Sequence, residues 1–491
     1  MKKQLLFTLA LLATISGGLL AQDINTLFFL ENAPMRHTLN PAFQPVSKVY
    51  VGFTPLSNIY LSAGNNAVAM SDLIYKKDGK YITALYPGES DKFAKRLSHD
   101  LRFKLNTQLA LLNFGFRIKD FGYFHFGINE KIEAGFVIPG TFYDLLYTDG
   151  NMDPSGRTVQ LDALALNAQV YTEFSAGYSH KINDRWTVGG KMKFLYGNGY
   201  ADLHTDHTTI GMYPDQLTAK LQGNAYLAGP FVSEMPAKLD KNTFSNPSSL
   251  VVTNAGAILR PKGIGSAIDL GMTYNPLKQL RISVALNDLG FIHWNGIGYA
   301  IQGDTVYTGP VKHYNELNSN TADETNNGIG AVIDTITSYA VNFFQEGITG
   351  SQTGKSGINR MTTTRLNIGI DGNFWDNRVG VGVYSSTHFT NSYVYEELTL
   401  GASLRPVNWF NLALSYSFIN GRWNSMGFGL SLMPYDGINI TLVTDYIPFS
   451  YAQLTSDTQQ PMTIPYKMKG INAGIQINLV FGTNPKKDKA Q

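Results

Sequence analysis

No cysteine occurs anywhere in the 491 residues. That removes disulfide scaffolds, thiolate zinc sites, cysteine nucleophiles and a lipid-modified cysteine anchor at one stroke. Charge is scarce as well: Lys, Arg, Asp and Glu make up 15% of the chain, with a net charge of +2, where soluble domains carry about 25%. The concentrated basic surface that phosphate backbones require is missing, so nucleic acid is not an expected partner. Long apolar runs are missing too. Beyond residue 21 nothing approaches the roughly 18 consecutive apolar residues of a membrane helix. A chain of this kind that crosses a membrane must do so as a closed β-barrel; otherwise it is a soluble all-β protein.

Catalytic signatures are equally thin. There is neither a G-x-S-x-G elbow nor an H-E-x-x-H pair. Gly350-Ser351-Gln352-Thr353-Gly354-Lys355-Ser356 imitates a phosphate loop, but its glycines stand one residue too close, and a flexible loop is expected there. His204 and His207 bracket Thr205-Asp206 without a full ligand set, which reads as an exposed polar loop. Ser98-His99-Asp100 holds the side-chain types of acyl transfer, yet adjacency in sequence does not make a triad. No catalytic, metal-binding or cofactor-binding residue is assigned, and no enzyme activity is expected.

What is present begins with an export signal. Lys2 and Lys3 precede a mostly apolar run from Leu5 to Ile15, then Ser16-Gly17-Gly18, with cleavage expected after Ala21. After it, two-residue alternation recurs. Ile471, Ala473, Ile475, Ile477, Leu479 and Phe481 alternate with Asn472, Gly474, Gln476 and Asn478, the pattern of a strand with lipid on one side and a polar lumen on the other. Phe410, Leu412, Leu414, Tyr416 and Phe418 do the same against Asn411, Ala413, Ser415 and Ser417. About 14 such candidates lie near 47–55, 104–118, 121–130, 166–181, 185–197, 264–274, 279–293, 363–373, 378–386, 395–404, 409–419, 425–433, 437–446 and 466–481. Short turns, such as Lys119–Asp120 and Phe374–Asn377, alternate with long connections at 56–103, 131–165, 198–263 and 294–362. Short periplasmic turns and long outer loops are how bacterial barrels are built. Trp186, Trp375 and Trp409 fall at short turns and Trp294 and Trp423 at opposite strand ends, as interfacial aromatic girdles require. The expected fold is therefore an all-β transmembrane antiparallel barrel in the outer membrane of a Gram-negative bacterium, with outer-membrane lipid around it. A polar tail, 482–491, is expected in the periplasm.

On this phasing Arg117, Glu173, Lys191, Lys193, Asp269, Arg281 and Asp371 point into the lumen, because a lipid-facing cation costs roughly 2–4 kcal/mol near the midplane. Their mixed signs suggest ion-paired networks that brace the barrel rather than a pore of one sign.

Several segments resemble an uncharacterised family of Bacteroidetes outer-membrane proteins that is similar to long-chain fatty acid transporters of the outer membrane. They are Leu39-Asn40-Pro41-Ala42-Phe43-Gln44-Pro45, Tyr178-Ser179-His180-Lys181-Ile182-Asn183-Asp184, Val284-Ala285-Leu286-Asn287-Asp288-Leu289-Gly290-Phe291-Ile292 and the last strand. The resemblance implies a 14-stranded barrel in which Asn40, Pro41 and Ala42 belong to an N-terminal hatch, 22–46, that plugs the lumen. From the residues alone, the charge-free, proline-bearing stretch His37–Val46 reads equally as a turn at the periplasmic rim. In the long insertion, Val332, Ile333, Ile336, Ala340, Phe343 and Phe344 recur at near-helical spacing, so Ile336, Phe343 and Phe344 are candidates for an apolar groove at the barrel mouth. The expected function is passive transport of a small hydrophobic molecule. The alternative is a non-transporting structural or secretion-accessory barrel whose outer loops bind a surface or secretion-machinery protein.

Overall fold

A computed structural model describes residues 24–54, 57–66, 69–77, 80–83, 100–141, 156–213, 216–230, 237–239, 260–308, 348–391, 393–419, 422–435, 437–447, 451–456, 459–465 and 469–482. The expected signal segment, nearly all of the expected C-terminal tail, the apolar stripe with Ile336, Phe343 and Phe344, and Ser98-His99 lie outside the described residues.

Fourteen strands close into an antiparallel barrel. They are β1 (Val49–Phe53 continued by Ile59–Asn65), β2 (Leu101–Ile118), β3 (Gly122–Ile138), β4 (Ala165–Lys181), β5 (Trp186–Met212), β6 (Gly263–Leu277) and β7 (Leu280–Thr308). Then follow β8 (Thr364–Phe374), β9 (Val379–Phe389), β10 (Val394–Val407), β11 (Phe410–Ile419), β12 (Arg422–Tyr435), β13 (Gly437–Thr444) and β14 (Gly470–Phe481). Each pairs with its sequence neighbours, and β1 pairs with β14, Val49 opposite Phe481, so the sheet closes on itself. Closure satisfies the backbone groups that hydrocarbon cannot.

Alternation decides which face meets lipid. In β14, Ile471, Ile475, Leu479 and Phe481 are exposed while Asn472, Gln476 and Asn478 are buried. In β8, Ile368 and Ile370 are exposed and Asn367 and Asp371 buried. An outer face of exposed Ile, Leu, Val and Phe around a polar interior is the inverse of a soluble sheet. No described helix is long and apolar enough to cross a membrane; the strands do the crossing. The short turns put the end bearing Trp375 and Trp409, both exposed, on the periplasmic side. Trp294 departs from the expected girdle: it is fully buried and stacks on Tyr200 with ring centres 5.2 Å apart.

Two expected loops are partly strand. β5 runs for 27 residues and β7 for 29, roughly 90 Å of chain each, far more than the bilayer needs. Above β6 the strand Gln216–Ala228 takes its place between β5 and β7, and Ile348–Met361 pairs with the upper part of β7. The phosphate-loop look-alike 350–356 therefore lies in an extended strand, not a flexible loop. His204 and His207 lie in the upper part of β5, also as strand residues.

Candidate functional site

The lumen is filled by the chain's own N-terminal segment. Two short 3-10 helices, Asn25–Phe29 and Pro34–Thr38, are buried along nearly their whole length. Ile24, Leu27, Phe28, Phe29, Leu30, Leu39 and Phe43 form an apolar core with Tyr384, Ala413 and Val443 of the wall. Burying each such large apolar side chain is worth about 1.5–3 kcal/mol. The wall makes room with inward glycines: a methyl at Gly369 would run into the Phe28 ring, and one at Gly189 into the Pro41 carbonyl.

Polar contacts fix the register of this segment. The Asp445 carboxylate accepts from the Asn25 N–H at 2.9 Å and the Thr26 N–H at 2.8 Å, capping donors the short helix cannot satisfy itself. Asn40 Nδ2 donates to the carbonyls of Met272 and Val284, both at 3.2 Å, and its Oδ1 accepts from the Ala42 N–H at 2.9 Å. Pro41 abuts Gly189 and Gly271, and Ala42 is buried. Asn287 Nδ2 donates to the carbonyls of Thr38 and Leu39 at 3.1 and 2.9 Å.

The seven charged residues expected in the lumen fall into three groups. Glu173, Lys191, Lys193 and Asp269 join one buried ionic layer: Lys193 meets Asp269 at 2.8 Å and Glu173 at 3.6 Å, and Lys191 meets Asp269 at 3.7 Å. Arg281 and Asp371 form a bidentate pair at 2.9 and 2.8 Å, and Arg281 also reaches Glu31 of the N-terminal segment at 3.1 Å. Arg117 stands apart near the segment's exit, donating to Gln44 Oε1 at 2.9 Å and to the Pro45 carbonyl.

Sequence reading missed the hubs of the first two groups. Asp288 collects Lys193 at 2.5 Å, Arg365 at 2.5 Å and Lys131 at 3.3 Å. Lys131 fell one residue past the expected end of its strand. Asp288 sits at a bulge with φ 57°, which breaks the two-residue phase; the adjacent polar pair Asn287-Asp288 was the available signal. Glu31 is held by Arg281 and Arg405. Burial pushes the Glu31 carboxyl up, but Arg281, Arg36 and Arg405 outweigh it and hold it at about 2. Burial, with Arg281 beside it, brings Arg36 down to about 9; its guanidinium still donates to the Phe28 carbonyl at 2.6 Å and covers the Phe43 ring at 4.5 Å. Burial, with His125 and Lys191 nearby, pushes His37 well below its usual range, so it stays neutral against Tyr50 Oη at 2.7 Å.

Among the described residues, the ladder between β1 and β2 is interrupted and leaves a seam. β1 pairs with β2 from Val49–Phe116 to Phe53–Leu112, then again at the single rung Asn65–Phe103. Between them Ile59–Gly64 pairs with β14 on its other side. A bulge at Leu111 of β2 and the left-handed Asn58, φ 47°, fall at this interruption, where the Ala110 N–H still donates to the Asn58 carbonyl at 3.1 Å. Ser62 Oγ and Asn106 Oδ1 are buried on the two sides of this seam without a hydrogen-bond partner, as are other lumen-facing atoms of the wall such as Ser179 Oγ and Asn478 Nδ2. Behind the seam lies a chamber of about 50 Å³ lined by Tyr60, Lys104, Asn106, Thr107, Glu133 and His388. A second chamber of about 20 Å³ lies lower, against His37 and Thr38.

A closed barrel with an apolar outer belt, a polar interior and its own N-terminal segment in the lumen is a transmembrane β-barrel of the bacterial outer membrane. The chain belongs to a family of unknown function, DUF5723, whose model matches residues 41–445. No curated protein matches it. Among solved structures it is similar to the Ralstonia pickettii toluene transporter TbuX, at 12% identity over 96% of this chain and 98% of that one, TM-score 0.38. The Pseudomonas aeruginosa FadL homologue gives 10% identity over 95% and 100%, TM-score 0.41, and the Pseudomonas putida toluene transporter TodX 10% over 95% and 96%, TM-score 0.36. Likenesses of this size carry no weight for function.

Proposed function

We propose that this barrel passes small hydrophobic molecules passively across the outer membrane, with segment 24–46 as a hatch and the β1–β2 seam as the side door. The observation that carries this reading is the missing run of rungs between Ile59–Gly64 and β2, backed by a chamber. On the lipid side the seam is flanked by Leu61 and Leu105, both exposed; an apolar solute dissolved in lipid loses nothing by approaching there. Asn40, Pro41 and Ala42 are the part of the hatch locked to β6 and β7. Gradient alone would drive the flux.

The test is a staple across the seam. Continuing the Asn65–Phe103 register sets Ala63 opposite Leu105, and the chain's lack of cysteine makes an Ala63→Cys/Leu105→Cys pair unambiguous. Oxidation should stop the flux of a small aromatic hydrocarbon into proteoliposomes, and reduction should restore it. Equal flux in both states would rule out the side door.

The small chambers, about 50 and 20 Å³, favour a second reading, a sealed accessory barrel that works through its outer loops. Flux through the reconstituted barrel no greater than that of empty liposomes, together with surface-protein crosslinks to 198–263 or 294–362, would establish it.

A further inference from the structure

Outside the barrel, on the lipid-facing side of the wall, β2 to β5 hold an apolar groove of about 580 Å³. Its floor is Ala176, which pairs with Phe126 on one side and Met192 on the other. Larger neighbours form the sides. The Phe126 ring is stacked on Phe114 with centres 4.8 Å apart. Phe174 and Phe194, 42% and 48% exposed, face each other two residues higher. A small residue ringed by long ones leaves a trough in which an acyl chain gains contacts on several sides.

A carboxylate stands at the upper end of this trough. Glu130 follows Ile128, a lining residue, by two positions on β3, so both point to lipid. Asn129 and Lys131 alternate with them and are buried towards the lumen. Opposite Glu130 is Thr172, two positions above Phe174. Glu130 lies ten residues above the turn at Lys119–Asp120. At about 3.3 Å per residue and a tilt of about 40° that is about 25 Å, the height of the apolar belt. The side chain therefore meets the headgroup level of the outer leaflet.

This carboxylate is held in place but not neutralised. Thr172 Oγ1 donates to its Oε2 at 2.6 Å, and Asn198 Nδ2 donates to its Oε1 at 2.8 Å and to Thr172 Oγ1 at 2.9 Å. Asn198 reaches it because β5 bulges there. Val170 pairs with Gly199 and Tyr171 with Gly197, so Asn198 is left over between them, and a bulge re-aims a side chain. These bonds use two of the roughly four acceptor sites of the carboxylate. Among the described residues Glu130 makes no ion pair. Lys131 and Lys193 serve the lumen, and Lys262, just before β6, is three strands away, about 14 Å.

We infer that this is a lipid site: the trough takes an acyl chain of an outer-leaflet aminolipid, and Glu130 takes its ammonium headgroup. Acyl chains wet the whole wall; a fixed carboxylate above a fixed trough selects the headgroup. An ammonium donates charge-assisted hydrogen bonds to the open acceptor sites, whereas an anionic headgroup meets like charge. The site lies on the opposite side of the wall from the lumen, so it stands or falls independently of transport.

Native mass spectrometry of the folded barrel, titrated with dioleoyl phosphatidylethanolamine or dioleoyl phosphatidylglycerol, tests it. The tails are identical, and the parent should bind the ethanolamine lipid about tenfold tighter. Glu130→Gln should abolish this preference without weakening phosphatidylglycerol binding. Ala176→Phe, which fills the trough, should weaken phosphatidylethanolamine binding several-fold. Equal affinity of the parent for the two lipids, or a preference that survives Glu130→Gln, overturns the inference. Phosphatidylethanolamine binding unchanged in Ala176→Phe overturns the part given to the trough. Should Glu130→Gln fail to fold, the parent alone decides. Dioleoyl phosphatidylcholine keeps the positive charge but has no N–H to donate, and should bind several-fold more weakly than the ethanolamine lipid; equal binding overturns the site.

Discussion

Replacing Glu31 with Gln should undock the N-terminal segment without unfolding the barrel. The Glu31 carboxylate bridges Arg281 at 3.1 Å and Arg405, and its side chain is 22% exposed. Its acidity is displaced from 4.5 to about 2, and at about 1.4 kcal/mol per unit this amounts to about 3 kcal/mol, trimmed to about 2–3 for partial exposure. The sign follows from the depressed value. Stability from this carboxylate is fully present above pH 4.5 and is lost as pH falls through about 2. Arg281 retains Asp371 and Arg405 retains Asn373 Oδ1 at 2.9 Å, so the wall does not lose its own pairs. Hydrogen exchange of residues 24–46 is the assay. At neutral pH the variant should show protection about 30- to 160-fold lower than the parent, with β9–β12 unchanged. Acidifying the parent from pH 5 to pH 2 should reproduce the loss, and the same acidification should add little in the variant. Unchanged protection in Glu31→Gln, or equal loss in segment and wall, would refute the latch.

Asn287→Ala removes two donors to the Thr38 and Leu39 carbonyls and should weaken docking by about 1–3 kcal/mol, read as faster exchange at residues 38–43. Gly189→Val places carbon against the Pro41 carbonyl; single-cysteine reporters at Ala33, buried in the parent, should become reactive while the barrel keeps its heat-modifiable gel shift. Ile370→Lys puts a cation on a lipid-facing position that is 47% exposed in the isolated chain, and should cost about 2–4 kcal/mol of folding stability in lipid vesicles, measured by urea titration.

Alternation made most of the wall legible. Each of the 14 expected strands overlaps an observed one, because lipid and lumen impose opposite demands on alternate residues of every crossing strand. Resemblance of Asn40-Pro41-Ala42 to a hatch element directed attention to the N-terminus, whereas the residues alone left a rim turn equally open. Bulges were invisible. Leu111 and Asp288 each shift the phase by one residue, so a reading based on strict alternation cannot assign the side chains around them. Trp294 was misplaced for a related reason: β7 runs on far above the bilayer, so its apparent strand end is the middle of a longer strand.

The sequence by itself determined the class of fold, since the period of hydrophobicity, the scarcity of charge and the rhythm of turn lengths are local properties that survive without knowing any contact. Only the tertiary structure decided how Glu31 meets Arg281 and Arg405, how Asp288 gathers Lys131, Lys193 and Arg365, and where the β1–β2 ladder gives way. Those partners are brought together across the lumen by barrel closure and strand stagger, and no spacing along the chain encodes them.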